Sequence, residues 1–140
     1  MTKILFCCTH NRCRSRMAEA ILQNMCPQWI VQSAGSSPSG DVDPNVRSIL
    51  REIGLDADGP GRNVRDMPLS TYDLIVTLCA DEDVCPILPP AVRKRTLHVP
   101  FDDPSRNNEA LNYEQRMQCY RNIRNQLEQF CSSIKTRFDQ

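Results

Sequence analysis

Eight consecutive residues carry most of the chemistry legible in this chain: Cys8-Thr9-His10-Asn11-Arg12-Cys13-Arg14-Ser15. A cysteine, five residues and an arginine lie between an apolar run, Ile4-Leu5-Phe6-Cys7, and a helical pattern, Met17-Ala18-Glu19-Ala20-Ile21-Leu22. This describes a tight loop between a buried strand and a helix. The backbone N–H groups of such a loop and the unpaired N–H groups of the helix start converge on one point and form an anion receptor. The Arg14 guanidinium can grip two oxygens of a tetrahedral anion at once. The same positive field favours the thiolate of Cys8. One loop thus supplies a nucleophile and an oxyanion cradle lined by Thr9, His10, Asn11, Arg12, Cys13, Arg14 and Ser15.

The elements that must position this loop follow from patterning. Strands are expected at residues 3–7, 29–33, 73–78 and 96–99. A first helix runs over residues 13–25 and stops before Pro27. A second begins with Asp43 as N-cap and Pro44 at the first helical position. It carries Val46, Ile49, Leu50 and Ile53 as its apolar stripe and stops at Gly54. A long last helix spans residues 111–138, with Met117, Tyr120, Ile123, Leu127, Phe130 and Ile134 on one face. Strands alternating with helices predict an α/β fold with a parallel sheet covered on both sides. Ligands of such sheets bind beyond the C-terminal strand ends. Cys8 ends one strand and Cys79 follows another, so the two can converge although they lie far apart in sequence. Asp102-Asp103-Pro104 follows the fourth strand at the same edge, within reach of the cradle.

Bulk properties narrow the class. The 140 residues make one domain, 1–140, and 17 basic residues balance 17 acidic ones. No net field draws the chain to nucleic acid or a membrane surface. The N-terminus reads as neither signal peptide nor membrane span, so a cytoplasmic location is expected. Eight cysteines in such a chain point to reactive or metal-binding thiols rather than a disulfide framework. Cys7 alternates away from Cys8 and fills core. Cys13 packs or shapes the loop, with a redox role beside Cys8 as the alternative. Cys26, Cys119 and Cys131 pack on helix faces. Ser15 donates to the Cys8 sulfur or else serves the helix start, and Asp102 serves the turn. No exposed apolar stripe stands out, which implies a monomer.

Three segments, in order, resemble the thioredoxin-coupled arsenate reductases built on the low-molecular-weight phosphatase fold. They are Cys8–Ser15 with Met17-Ala18-Glu19; Thr77-Leu78-Cys79-Ala80-Asp81 with Cys85-Pro86-Ile87-Leu88-Pro89-Pro90; and Phe101-Asp102-Asp103-Pro104. Ser33-Ala34-Gly35 fits as well. The loop alone would fit any phosphatase of this type; Cys79 with Cys85-Pro86 singles out the reductases. The resemblance implies a three-layer α/β/α, flavodoxin-like fold with a four-stranded parallel sheet. It also implies a relay of three thiols. Cys8 attacks the arsenic of arsenate, Asp103 protonates the departing oxygen, Cys79 attacks Cys8 to release arsenite, and Cys85 attacks Cys79. No cofactor is bound. Thioredoxin reduces the resulting Cys79–Cys85 disulfide, with glutathione and glutaredoxin as the alternative donor. Five residues separate the two cysteines, so residues 80–84, with Asp81, Glu82 and Asp83, must loop or unwind when oxidised.

The chain departs from the family where His10 and Arg12 replace a usual Gly and Ser. Gly eases unusual backbone angles, so His10 puts the loop geometry in question. Many relatives hold a potassium ion near Asn11 with Glu19, Ser33 and an acidic residue. Arg65 aligns with that acidic position, so a guanidinium is expected in place of the ion and no metal is expected. Two other functions compete. A phosphatase for phosphotyrosine or small phosphoesters would use Cys8, Arg14 and Asp103 alone. The stretch Ser105-Arg106-Asn107-Asn108 lacks the aromatic residues that flank a phosphotyrosine ring. A soft-metal or arsenite-binding thiol cluster would use Cys7, Cys8, Cys13, Cys79 and Cys85, but Arg14 beside the thiolates opposes a cation.

Overall fold

The structure, a computed structural model, describes residues 1–80 and 86–139. Four parallel strands, β1 (Lys3–Cys8), β2 (Ile30–Gly35), β3 (Leu74–Thr77) and β4 (Thr96–His98), lie in the order β2-β1-β3-β4. That is the flavodoxin-like order. The helices are α1 (Arg14–Met25), α2 (Pro44–Arg51) and α3 (Tyr113–Phe138). Central β1 pairs with both neighbours, Cys8 opposite Gly35 of β2 and Cys7 opposite Thr77 of β3.

Strand alternation sorts the core into two layers. Ile4 and Phe6 of β1 join Val76 and Leu78 and pack against Met17, Ile21 and Leu22 of α1, Ile49 and Leu50 of α2, and Leu127 of α3. Leu5 and Cys7 face the other way and pack with Ala34, Val64, Tyr72, Ile75 and Val92. All three α-helices lie on the first face. The second is covered by the 3-10 turns Val64–Asp66, Leu69–Thr71 and Pro90–Arg95, which periodicity does not mark.

The caps follow their chemistry. The Asp43 side chain accepts from Asn45 N–H at 2.9 Å, Pro44 opens α2, and Gly54 takes φ +77° past its end. Asn112 and Gln115 form a reciprocal capping box at the start of α3. Among the described residues, no helix is long and apolar enough to cross a membrane.

Candidate active site

The loop after β1 is held from outside by its carbonyls. Ser36 N–H donates to Cys8 C=O (3.3 Å), Ser37 to Thr9 (2.8 Å), Ser39 to His10 (3.3 Å) and Asp43 to Arg12 (3.1 Å). Arg16 Nη1 donates to Asn11 C=O at 3.4 Å, and Met17 N–H to Cys13 C=O at 2.9 Å. Every carbonyl from Cys8 to Cys13 therefore points outward. In a trans peptide the following N–H points the opposite way, and no peptide bond here is cis. The N–H groups of Thr9, His10, Asn11, Arg12, Cys13 and Arg14 thus face the concave side, an anion nest at the start of α1.

Cys8 lies buried at the floor of this nest. Its Sγ is 2.9 Å from Ser15 Oγ. Asn11 Nδ2 donates to Ser15 Oγ (2.8 Å) and to Ser33 Oγ (2.9 Å). A thiolate can only accept, so beside ionised Cys8 the Ser15 hydroxyl, accepting from Asn11, gives its single proton to the sulfur. Ser33 in turn donates to Glu19 Oε1. Asn11 also accepts from Arg62 N–H at 2.9 Å and sits at φ +53°. The left-handed residue of the loop is thus Asn11, a residue type that tolerates it, and not His10.

Arg14 is 3% exposed and anchored by Nη1 to Phe101 C=O at 3.0 Å. Its Nη2 lies 3.6 Å from Asp103 Oδ2. Ser105 N–H binds Asp103 Oδ1 at 2.9 Å, and Arg106 Nε stands 3.5 Å from Oδ2. Asp103 therefore faces the cradle across Arg14, whereas Asp102 is exposed to solvent. His10 and Arg12 line the nest through their backbone. Their side chains turn to the loop at 36–41, His10 Nδ1 meeting Ser37 C=O at 3.0 Å and Arg12 Nε donating to Asp41 C=O at 2.8 Å.

One expectation is corrected. The guanidinium that stands by Glu19 belongs to Arg62, with Nη1 3.8 Å from Oε2. Arg65 instead hydrogen-bonds Asn63 as the two open the Val64–Asp66 turn. Alignment by residue count fails because that turn sends Arg65 outward.

The other thiols separate by environment. Burial, with the neighbouring Cys8 second, pushes Cys7 up to about 12. Burial first, then the charges of Asp103 and Asp43, raise Cys13 well above the ordinary thiol range, with Arg14 opposing. Both stay protonated, and Cys13 belongs to the core. Cys26 and Cys131 are buried and Cys119 is half-buried. Among the described residues, no three His, Cys, Asp or Glu side chains form a metal-binding group. Cys79 is buried and disulfide-bonded. It follows Leu78, whose N–H continues the ladder to Cys7 C=O at 2.9 Å, so it stands at the sheet end beside Cys8. Cys85 and, of the expected refolding segment 80–84, all but Ala80 lie outside the described residues.

Several residues that shape the site escape sequence reasoning. Ser36, Ser37 and Ser39 act only through backbone N–H groups, which no side-chain pattern reveals. Arg16 is buried and binds the carbonyls of Asp58 (2.6 Å), Gly59 (3.2 Å) and Pro60 (3.4 Å), fastening that loop to the nest. It had a signal: a cation in the first turn of a helix opposes the macrodipole and needs a reason. Gly35 lets β2 pass close beneath the loop, since a Cβ there would meet Thr9 O at 2.5 Å. Asp43 links α2 to the cradle and accepts from Tyr120 Oη at 2.6 Å.

Comparison with known proteins agrees with this geometry. The family model described as low molecular weight phosphotyrosine protein phosphatase matches residues 3–140. An arsenate reductase of Bacillus subtilis is 42% identical over 106 residues, covering 74% of each chain. One from Staphylococcus aureus (strain Newman) is 42% identical over 110 residues, 75% of this chain and 82% of that protein. The crystal structure of arsenate reductase from Archaeoglobus fulgidus superposes with TM-score 0.72 and 30% identity over 92% of this chain and 98% of that one. An arginine phosphatase from Geobacillus stearothermophilus shares the fold, with TM-score 0.79 at 20% identity over 99% and 94% of the two chains. The cradle at Cys8, the matched length and these relatives lead to one conclusion: the chain belongs to the low molecular weight phosphotyrosine protein phosphatase family, in the group that includes the arsenate reductases.

Proposed function

We propose that this protein reduces arsenate to arsenite through a relay of three thiols, and that thioredoxin recharges it. One observation carries the reading. Cys8, set in the loop after β1, shares its sheet end with Cys79, a second cysteine in disulfide linkage just past the end of β3. A phosphatase needs only the first and a water molecule. The arsenate reductase relatives point the same way.

In the proposed cycle arsenate, a phosphate mimic, binds the nest N–H groups and Arg14. The Cys8 thiolate, held by the Ser15 proton, attacks arsenic and forms an S–As bond. An As–O bond breaks, and Asp103 gives its proton to the leaving oxygen. Cys79, as thiolate, then attacks Cys8 Sγ. The S–As bonding pair stays on arsenic, which leaves as arsenite with two more electrons. Cys85 attacks Cys79 in the Cys8–Cys79 disulfide, and Cys8 departs as thiolate. The Cys79–Cys85 disulfide so formed is reduced by the dithiol of thioredoxin, which is itself oxidised. A relay recharged this way, among six free cysteines in the described residues, suits a monomer working in the reducing cytoplasm.

The test is NADPH consumption with arsenate, thioredoxin and thioredoxin reductase, run beside hydrolysis of an aryl phosphate. Arsenate-dependent oxidation is expected. Turnover only with glutathione and glutaredoxin would overturn the donor. Aryl phosphate hydrolysis without reduction by either system would overturn the reductase reading.

A further inference from the structure

Ile87 is 98% exposed. Among the described large apolar side chains the next inside the chain is Tyr113 at 63%, while Ile30, Ile53 and Leu97 are below 40%. Fraying does not explain it, because its neighbours are pinned. Pro86 before it is buried, and Leu88 after it packs with Leu5, Cys7, Tyr72, Ile75 and Val92. Pro89 then fixes extended backbone at φ −60°, ψ 147°, and Pro90 opens a 3-10 turn. The segment thus turns inward, outward and inward over three residues on a proline-stiffened backbone. It presents one isoleucine to solvent at little cost in conformational freedom, the property that makes a good binding anchor.

Its place in the chain says what covers it. Ile87 is two residues from Cys85, so their Cα atoms are at most about 7 Å apart. We infer that Ile87 is the apolar anchor on which the protein dithiol that reduces this enzyme docks; the inference rests on the thioredoxin reading above. In that exchange the partner's thiolate attacks one sulfur of the enzyme disulfide, and the S–S bonding pair passes to the leaving sulfur. The partner's second thiol then attacks the mixed disulfide. Both enzyme thiols are released, and the partner carries away the oxidation as its own disulfide. Each attack needs sulfur within bonding reach, so the partner's surface must close over the residues flanking Cys85. A fully exposed isoleucine there falls inside that footprint. A small dithiol such as dithiothreitol performs the same exchange without a surface and has no use for the anchor.

The experiment compares wild type, Ile87→Ala and Ile87→Asp with two reductants, thioredoxin in the coupled assay and dithiothreitol alone. Truncating a central anchor costs about tenfold in affinity. We expect Ile87→Asp to lower kcat/KM for thioredoxin by about tenfold or more through KM, Ile87→Ala to lie between, and dithiothreitol-driven turnover to stay within about twofold. Unchanged kcat/KM for thioredoxin in Ile87→Asp would overturn the docking role and leave the donor standing. Equal losses with both reductants would place Ile87 in the relay itself and also overturn it. Wild-type turnover with dithiothreitol but not with thioredoxin would overturn the donor, and the docking surface with it.

Discussion

Asn11→Asp tests the direction of the hydrogen-bond chain that ends on Cys8, the proposed nucleophile. The two side chains have nearly the same shape, but the substitution replaces a donor of two protons with an acceptor. In the native chain Asn11 Nδ2 donates to Ser15 Oγ at 2.8 Å and to Ser33 Oγ at 2.9 Å. That leaves the Ser15 proton for Cys8 Sγ at 2.9 Å and the Ser33 proton for Glu19. A carboxylate at position 11 would draw both hydroxyl protons to itself, since each serine has only one. The Cys8 thiolate would lose its side-chain donor and gain a negative charge nearby. A hydrogen bond to a charged group contributes about 1.5–3 kcal/mol. At about 1.4 kcal/mol per factor of ten, that loss is a roughly 10- to 150-fold change in the balance between thiolate and thiol. The assay is the pH dependence of Cys8 alkylation by iodoacetamide, followed by peptide mass spectrometry. Cys7, Cys13 and Cys131, all raised by burial, react slowly and do not interfere. Asn11→Gly is the companion variant. It tolerates φ +53° and removes both donors without adding an acceptor, so Ser15 keeps its proton on the sulfur and alkylation falls far less. An Asn11→Asp rate within about threefold of wild type at every pH would refute this chain of hydrogen bonds, because a single lost donor is already worth tenfold.

Three further outcomes follow from the same geometry. Asp103→Asn should slow the single-turnover chemical step by about 10²- to 10⁴-fold, the range for a positioned acid; a loss under tenfold in rapid quench would remove Asp103 from that role. Gly35→Ala should lower thermal stability by about 1–3 kcal/mol and impair arsenate binding together, because the new methyl meets backbone at Thr9 O (2.5 Å) and Asn11 N (3.0 Å). Unchanged stability and affinity would show that the loop has slack. Stability should also decline in alkali. Cys7 and Cys131 are raised to about 12 from an ordinary 9.0, so they stay protonated in the fold while the unfolded chain ionises. Their contribution is complete below pH 9 and is lost as pH rises from 9 toward 12. At pH 10 the cost is about 1 kcal/mol per thiol, to be read from urea midpoints at pH 7 and 10; equal midpoints would contradict it.

The strands, the helices and the loop after β1 were legible because each is written in local chemistry. Apolar runs mark β1 and β3, the Asp43-Pro44 and Gly54 signals bracket α2, and the cysteine–arginine spacing marks the cradle. What was not legible acts at a distance or through backbone. Ser36, Ser37 and Ser39 serve the cradle with N–H groups that any residue but proline could supply. Arg62 rather than Arg65 reaches Glu19, because the Val64–Asp66 turn folds Arg65 back onto Asn63. The exposure of Ile87 was hidden because Cys85-Pro86-Ile87-Leu88 reads as an apolar run, and only packing decides that Leu88 goes in while Ile87 stays out.

The eight cysteines show how a common residue acquires separate chemistry from its surroundings. Cys7 and Cys8 are adjacent in β1, yet pleating sends them to opposite faces. Cys7 meets Leu5, Ala34, Tyr72 and Ile75, where nothing stabilises a charge, and burial holds it neutral. Cys8 meets a serine proton, a ring of N–H groups and Arg14 nearby in the loop. Cys13 is closer to Arg14 in sequence than Cys8 is, yet burial and the charges of Asp103 and Asp43 outweigh the guanidinium and keep it protonated. Proximity to a cation therefore does not set a cysteine's chemistry here; in the proposed cycle, donors near the sulfur mark out Cys8. That is why a change at Asn11, which does not itself donate to the sulfur, is expected to cost reactivity by reversing the proton beside it.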